Sequence, residues 1–145
     1  MNILKYFFTP FVLLTCTPID TVDAKHQTKK SFYTKPNASL KPKAKQPSIN
    51  GNTLRHINKR HAHNSTATDT SKFFPSTTDT KIKHLISTTY QSHDLWTPSK
   101  TNPNRLTKEH TFSKPIGKTT NGKPAKTLKI VSDKNGEIIT AFPSK

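Results

Sequence analysis

The feature that most constrains the fold is the C-terminal run Leu128-Lys129-Ile130-Val131-Ser132-Asp133-Lys134-Asn135-Gly136-Glu137-Ile138-Ile139-Thr140-Ala141-Phe142-Pro143. Two apolar, β-branched stretches flank Asp133-Lys134-Asn135-Gly136, a strong hairpin signal because Asn-Gly tolerates the backbone angles of a tight turn. The pattern predicts antiparallel strands over residues 126–132 and 137–142. Upstream, Leu54 and Ile57 are spaced to face a core, predicting a short helix over residues 54–59 capped by Asn52 or Thr53. Asp79 is placed to cap a second helix over residues 80–88, with Ile82, Leu85 and Ile86 as its apolar stripe. Residues 64–70 read as a polar loop closed by Phe73-Phe74-Pro75. Residues 90–105 are turn-rich, with Trp96 as their packing residue, and residues 110–113 form a short strand. Short helices packed on a small antiparallel sheet that ends in a hairpin make an α+β domain.

A chain of 145 residues has room for one such domain. Only 30% of its residues are hydrophobic, so little apolar surface is available to offset the entropy of ordering. The formal net charge of +16 points to a polyanionic partner. At the N-terminus, a single lysine, a short apolar run over residues 6–14 and Val22-Asp23-Ala24 match the layout of a secretory signal peptide over residues 1–24. The apolar run is too short to span a bilayer, and no membrane insertion is expected after its removal. The protein would then be secreted or periplasmic. Cys16, the only cysteine, falls inside that segment, which excludes disulfides and thiol catalysis from the mature chain. Residues 25–50 hold seven lysines and no acidic residue, with Pro36, Pro42 and Pro47 at near-regular spacing. They read as a disordered basic linker, leaving residues 51–145 as the folded domain.

The chemistry concentrates in Leu54-Arg55-His56-Ile57-Asn58-Lys59-Arg60-His61, two imidazoles in a cationic setting. Cleaving RNA without a metal makes the 2'-hydroxyl the nucleophile. A base removes its proton, an acid protonates the departing 5'-oxygen, and a cation stabilises charge on phosphorus. Histidine suits both proton transfers because its ordinary pKa of about 6.5 lies near working pH. Five residues apart on a helix, the two side chains diverge by about 140°. For His56 and His61 to share a cleft, the helix would have to break near Arg60. A rival reading takes His61-Ala62-His63 as a chelating pair, but no carboxylate or cysteine lies close in sequence to complete it. No metal and no cofactor are expected. His26, His84, His93 and His110 carry no motif.

The order of these segments resembles the bacterial EndoU-type nuclease domain, a C-terminal warhead of polymorphic and contact-dependent toxins. The resemblance runs from His-Ile-x-x-Arg-His through Phe-Pro, an Ile-rich helix and a Trp-Thr-Pro turn to Asn-Gly-Glu-Ile-Ile-Thr-Ala-Phe-Pro, and covers residues 52–145. It implies an endoribonuclease of the barnase-, EndoU- and RelE-like architecture with two catalytic histidines, a basic residue, and a Ser/Thr plus an aromatic hydroxyl near the C-terminus. His56 and His61 match the histidine motif and Thr140 the threonine of the final strand. The family usually ends Thr-x-Tyr-Pro. Here Phe142 replaces the tyrosine, which keeps base stacking and loses a hydrogen bond. Lys118, Lys123 and Lys126 all precede the hairpin as candidate cations, and Lys123, after Asn121-Gly122, is favoured. Arg55, Arg60 and Phe142 would contact the substrate. The expected function is a monomeric, secreted endoribonuclease toxin whose partners are RNA and an acidic immunity protein. The alternatives are a noncatalytic basic protein that binds nucleic acid or an anionic cell surface, and a toxin domain that has lost its activity.

Overall fold

A computed structural model of the chain describes residues 40–145. The expected signal peptide and most of the expected linker lie outside the described residues.

The hairpin forms as the turn chemistry demands. Strands β6 (Thr127–Asp133) and β7 (Ile138–Ser144) pair antiparallel, Val131 opposite Thr140 and Lys129 opposite Phe142. Asp133 Oδ1 accepts hydrogen bonds from the backbone N–H groups of Asn135, Gly136 and Glu137 at 2.9, 2.8 and 2.8 Å. Gly136 sits at φ 101°, a region that disfavours any side chain. A Cβ there would also come within 2.7 Å of Ala44 and 2.8 Å of the Tyr90 hydroxyl.

Two further strands extend this sheet to the order β2-β3-β6-β7, with β2 at Thr97–Pro98 and β3 at Arg105–Thr111. A second sheet of three two-residue strands, β1 (Lys72–Phe73), β4 (Gly117–Lys118) and β5 (Pro124–Ala125), has the order β1-β4-β5. Each pairing between these seven strands is antiparallel. The strand expected over residues 110–113 is longer and starts earlier. Its alternation is hidden in the sequence because Lys108 occupies an inward position, 3% exposed. Its Nζ donates to the carbonyls of Tyr90 and Ser92 at 2.9 and 2.5 Å and lies 5.5 Å from the Trp96 ring centroid. Burial holds that ammonium below the usual lysine range.

Helix α1 (Gly51–His61) is capped by Asn50, whose side chain accepts from the Thr53 N–H, rather than by Asn52 or Thr53. Helix α2 (Asp79–Gln91) is capped by Thr78, one residue before the expected cap, and runs past Thr88. Its Ile82, Leu85 and Ile86 are buried as the stripe requires. The core forms where Ile57 of α1 and this stripe meet the inward faces of Leu106, Leu128, Ile130, Ile138 and Ala141. Phe73 and Trp96 are buried in it as expected, whereas Pro75 is exposed. The molecule is thus α+β, with both helices contacting the four-stranded sheet. Among the described residues, no helix is long and apolar enough to cross a membrane.

The stretch read as linker joins the domain before Gly51. Lys43 N–H bonds the Lys134 carbonyl, Ser48 N–H bonds Gly136, and Ile138 N–H bonds Ser48, each at 2.9 Å. The Tyr90 hydroxyl donates to the Ala44 carbonyl at 2.8 Å. Residues 43–50 therefore form a strap along the hairpin turn. Their contacts are mostly main-chain, so side-chain pattern does not reveal them.

Candidate functional site

Where α1 ends, its last carbonyls need partners, and the following loop supplies them. Lys72 Nζ collects the carbonyls of Arg60, Ser65 and Ala67 at 3.0, 3.1 and 2.7 Å. Thr70 Oγ1 also donates to Arg60 at 2.9 Å, and Ser65 Oγ donates to Lys59. These bonds fold residues 62–71 back over the helix end and bring the Ser71 carbonyl against His61.

His61, 7% exposed, is the last residue of α1. Its Nδ1 lies 2.9 Å from the Ser71 carbonyl oxygen, an acceptor only, so the ring donates its Nδ1 proton there. In the neutral ring this leaves a lone pair on Nε2. The Phe142 ring stacks on the imidazole, with centroids 5.2 Å apart and planes 22° from parallel. Burial depresses the His61 pKa below the ordinary 6.5. The bond to Ser71 acts in the opposite sense, and the charges of Arg60, His56 and Lys72 add to the lowering.

A cleft of about 320 Å³ opens beside this ring, bordered by His56, Arg60, His61, Thr120, Thr140 and Phe142. Five of those six were expected at a site, and the fold brings them together from α1 and β7. The route differs from the expected one. The helix does not break near Arg60: α1 continues through His61, and the Ala62 N–H still bonds the Asn58 carbonyl at 3.2 Å. Residues 69–71 and β7 instead surround the last turn, so side chains well apart around the helix border one space.

Lys123 does not border the cleft. It is exposed in a turn where the Thr119 N–H bonds the Lys123 carbonyl at 2.8 Å. The same turn presents Thr120 to the cleft instead. Lys118 and Lys126 are exposed and also stand outside the cleft. Arg55 is exposed on α1 and does not border the cleft. Arg60 is the cation at the cleft, since the Lys72 ammonium is held by three carbonyls. Thr140 Oγ1 is buried without a hydrogen-bond partner among the described residues. Buried hydroxyls in that state are uncommon and call for a reason. His63 is exposed, and among the described residues no three His, Cys, Asp or Glu side chains stand together to hold a metal ion.

Compared with protein-family models, curated proteins and solved structures, the chain finds no match in any of the three.

Proposed function

We propose that the protein is an endoribonuclease in which His61 is the base and His56 the acid. Neutral His61 removes the 2'-hydroxyl proton through Nε2. The 2'-oxygen attacks the adjacent phosphorus, and the 5'-oxygen departs with a proton from His56. The products are a 2',3'-cyclic phosphate and a 5'-hydroxyl, and the two rings end with their protonation states exchanged. Arg60 stabilises charge on the phosphorane oxygens. Thr140 supplies a hydroxyl that gains a partner when phosphate binds, and Phe142 keeps the His61 ring in plane.

The observation that carries this reading is the setting of His61: Nδ1 occupied by a carbonyl, pKa lowered by burial, and a cleft shared with His56 and Arg60. A base for this reaction must be neutral near working pH with one nitrogen free. The likeness to EndoU-type domains belongs to the same proposal, as does a role as an exported toxin. The charge of +16 suits RNA as substrate and a small acidic protein as inhibitor inside the producing cell.

The test is incubation of the purified protein with RNA in EDTA. Cleavage leaving cyclic phosphate ends, and lost in both His56→Ala and His61→Ala, is the expected result. RNA that is retained but uncut, equally by all three proteins, would establish a noncatalytic binder.

A further inference from the structure

The outward face of the four-stranded sheet carries a depression of about 820 Å³, much larger than the cleft at His61. The two share Thr140 and Phe142 of β7 as lining residues. Strand alternation provides its floor, because Thr107, Val131, Thr140 and Phe142 alternate along their strands with the core residues Leu106, Ile130 and Ala141. Its far wall includes Leu95, 83% exposed, an unusual position for a large apolar side chain next to the buried Trp96.

The charges around this groove are unequal in an informative way. Both of its carboxylates are engaged: Asp94 Oδ2 lies 2.6 Å from His110 Nδ1, and Glu109 Oε1 lies 2.8 Å from Lys129 Nζ. Among the described residues, Lys100 and Arg105 have no carboxylate partner. The groove therefore offers two free cations beside an apolar and aromatic floor. Cations follow a phosphate chain, and apolar and aromatic surfaces take the faces of bases, which are exposed only when the strand is unpaired.

We infer that the groove holds the nucleotides flanking the cleaved bond of a single-stranded RNA. Bases rest on Phe142, Val131 and Leu95, and phosphates turn toward Lys100 and Arg105. The ribonuclease reading supplies the position of the cut. Binding in the groove is tested separately from it.

The experiment measures binding of the full chain to a short, labelled, 2'-O-methyl single-stranded RNA, which has no 2'-hydroxyl to react, across a salt series. Lys100→Ala combined with Arg105→Ala weakens binding about tenfold and reduces the log–log salt slope by roughly 1.4, the value for two lost phosphate contacts on a single strand. Leu95→Ser, at an exposed position that does not endanger folding, weakens binding of the RNA but not of a base-free polyphosphate. Binding unchanged in both variants, or a duplex held more tightly than the single strand, overturns the groove. Absence of cleavage alongside variant-sensitive binding overturns the ribonuclease reading and leaves the groove standing. Cleavage alongside variant-insensitive binding does the reverse.

Discussion

Strand β7 begins among polar groups that have partners, and farther along it lie two buried hydroxyls that have none among the described residues, those of Thr140 and Ser144. At its start, the Ile138 N–H bonds Ser48, the Ile138 carbonyl accepts from Thr53 Oγ1 at 2.8 Å, and Asp133 gathers three N–H groups of the turn. Asn50 caps α1 and donates to Glu137 at 2.8 Å, tying helix, strap and turn together. Two residues along the strand, Thr140 Oγ1 is buried without a partner, and beyond it Phe142 covers an imidazole held below its ordinary pKa. Satisfied polar groups contribute to stability, whereas an unsatisfied hydroxyl and a depressed imidazole cost stability and suit binding and proton transfer. The turn end is therefore the scaffold, and the cleft end is where chemistry is expected.

Substitutions at the two ends should separate activity from stability. The largest effect is expected from His56→Ala. This residue is exposed, so its loss changes stability by no more than about 0.5 kcal/mol, while cleavage falls by about a thousandfold. Melting curves alongside single-turnover cleavage check both parts. A large drop in melting temperature would blur the division between the ends.

Asp133→Ala tests the opposite end. Removing a carboxylate that accepts three backbone bonds costs about 2 kcal/mol, or roughly 10 °C in melting temperature for a domain of this size. The rate of the folded fraction should stay as it is. Gly136→Ala, which forces a Cβ into a left-handed position against Ala44 and Tyr90, should behave alike at a similar magnitude.

Smaller effects sharpen the picture of the cleft. Phe142→Leu keeps apolar volume and loses the ring stacked on His61, which should cost about fivefold in activity. Phe142→Tyr keeps the ring and should retain activity. The pH response should be the mildest. Because the folded-state pKa of His61 lies below 6.5, the acidic limb of kcat/KM inflects below that value. The unfolded chain binds the proton more tightly, so the stability associated with neutral His61 is fully present above 6.5 and is lost as pH falls from there through the lowered folded value. His61→Ala should flatten that part of the melting-temperature profile.

Residue pattern made some of this architecture visible. The hairpin was legible because Asp133, Asn135 and Gly136 are themselves the turn's hydrogen-bonding and conformational devices. Helix α2 was legible because Ile82, Leu85 and Ile86 recur at helical spacing. Two other features were obscured. Residues 43–50 carry no helical or strand periodicity, and they attach through main-chain bonds of Lys43, Ala44 and Ser48 together with the side chains of Gln46 and Asn50. Strand β3 conceals its alternation because the inward Lys108 is satisfied by two carbonyls rather than being apolar.

Of the seven residues expected at a site, five border one cleft and Lys123 and Arg55 do not, and the way the five come together was not legible. His56, Arg60, His61, Thr140 and Phe142 meet at one cleft, but the expected helix break is replaced by a loop closing over an intact helix end. The loop depends on Lys72, whose role is set by three carbonyls distant from any motif, and Thr120 arrives through a turn on which Lys123 was the expected residue.

In the proposed mechanism the free nitrogen of His61 takes the proton of a 2'-hydroxyl at the cleft. The most direct measurement uses a short RNA in EDTA in which one nucleotide, immediately 5' to a cut linkage, is 2'-deoxy. This linkage alone should become resistant, its neighbours should still be cut to cyclic phosphates, and His61→Ala should cut none of them. Equal cleavage at the deoxy linkage, or undiminished cleavage by His61→Ala, would contradict the mechanism.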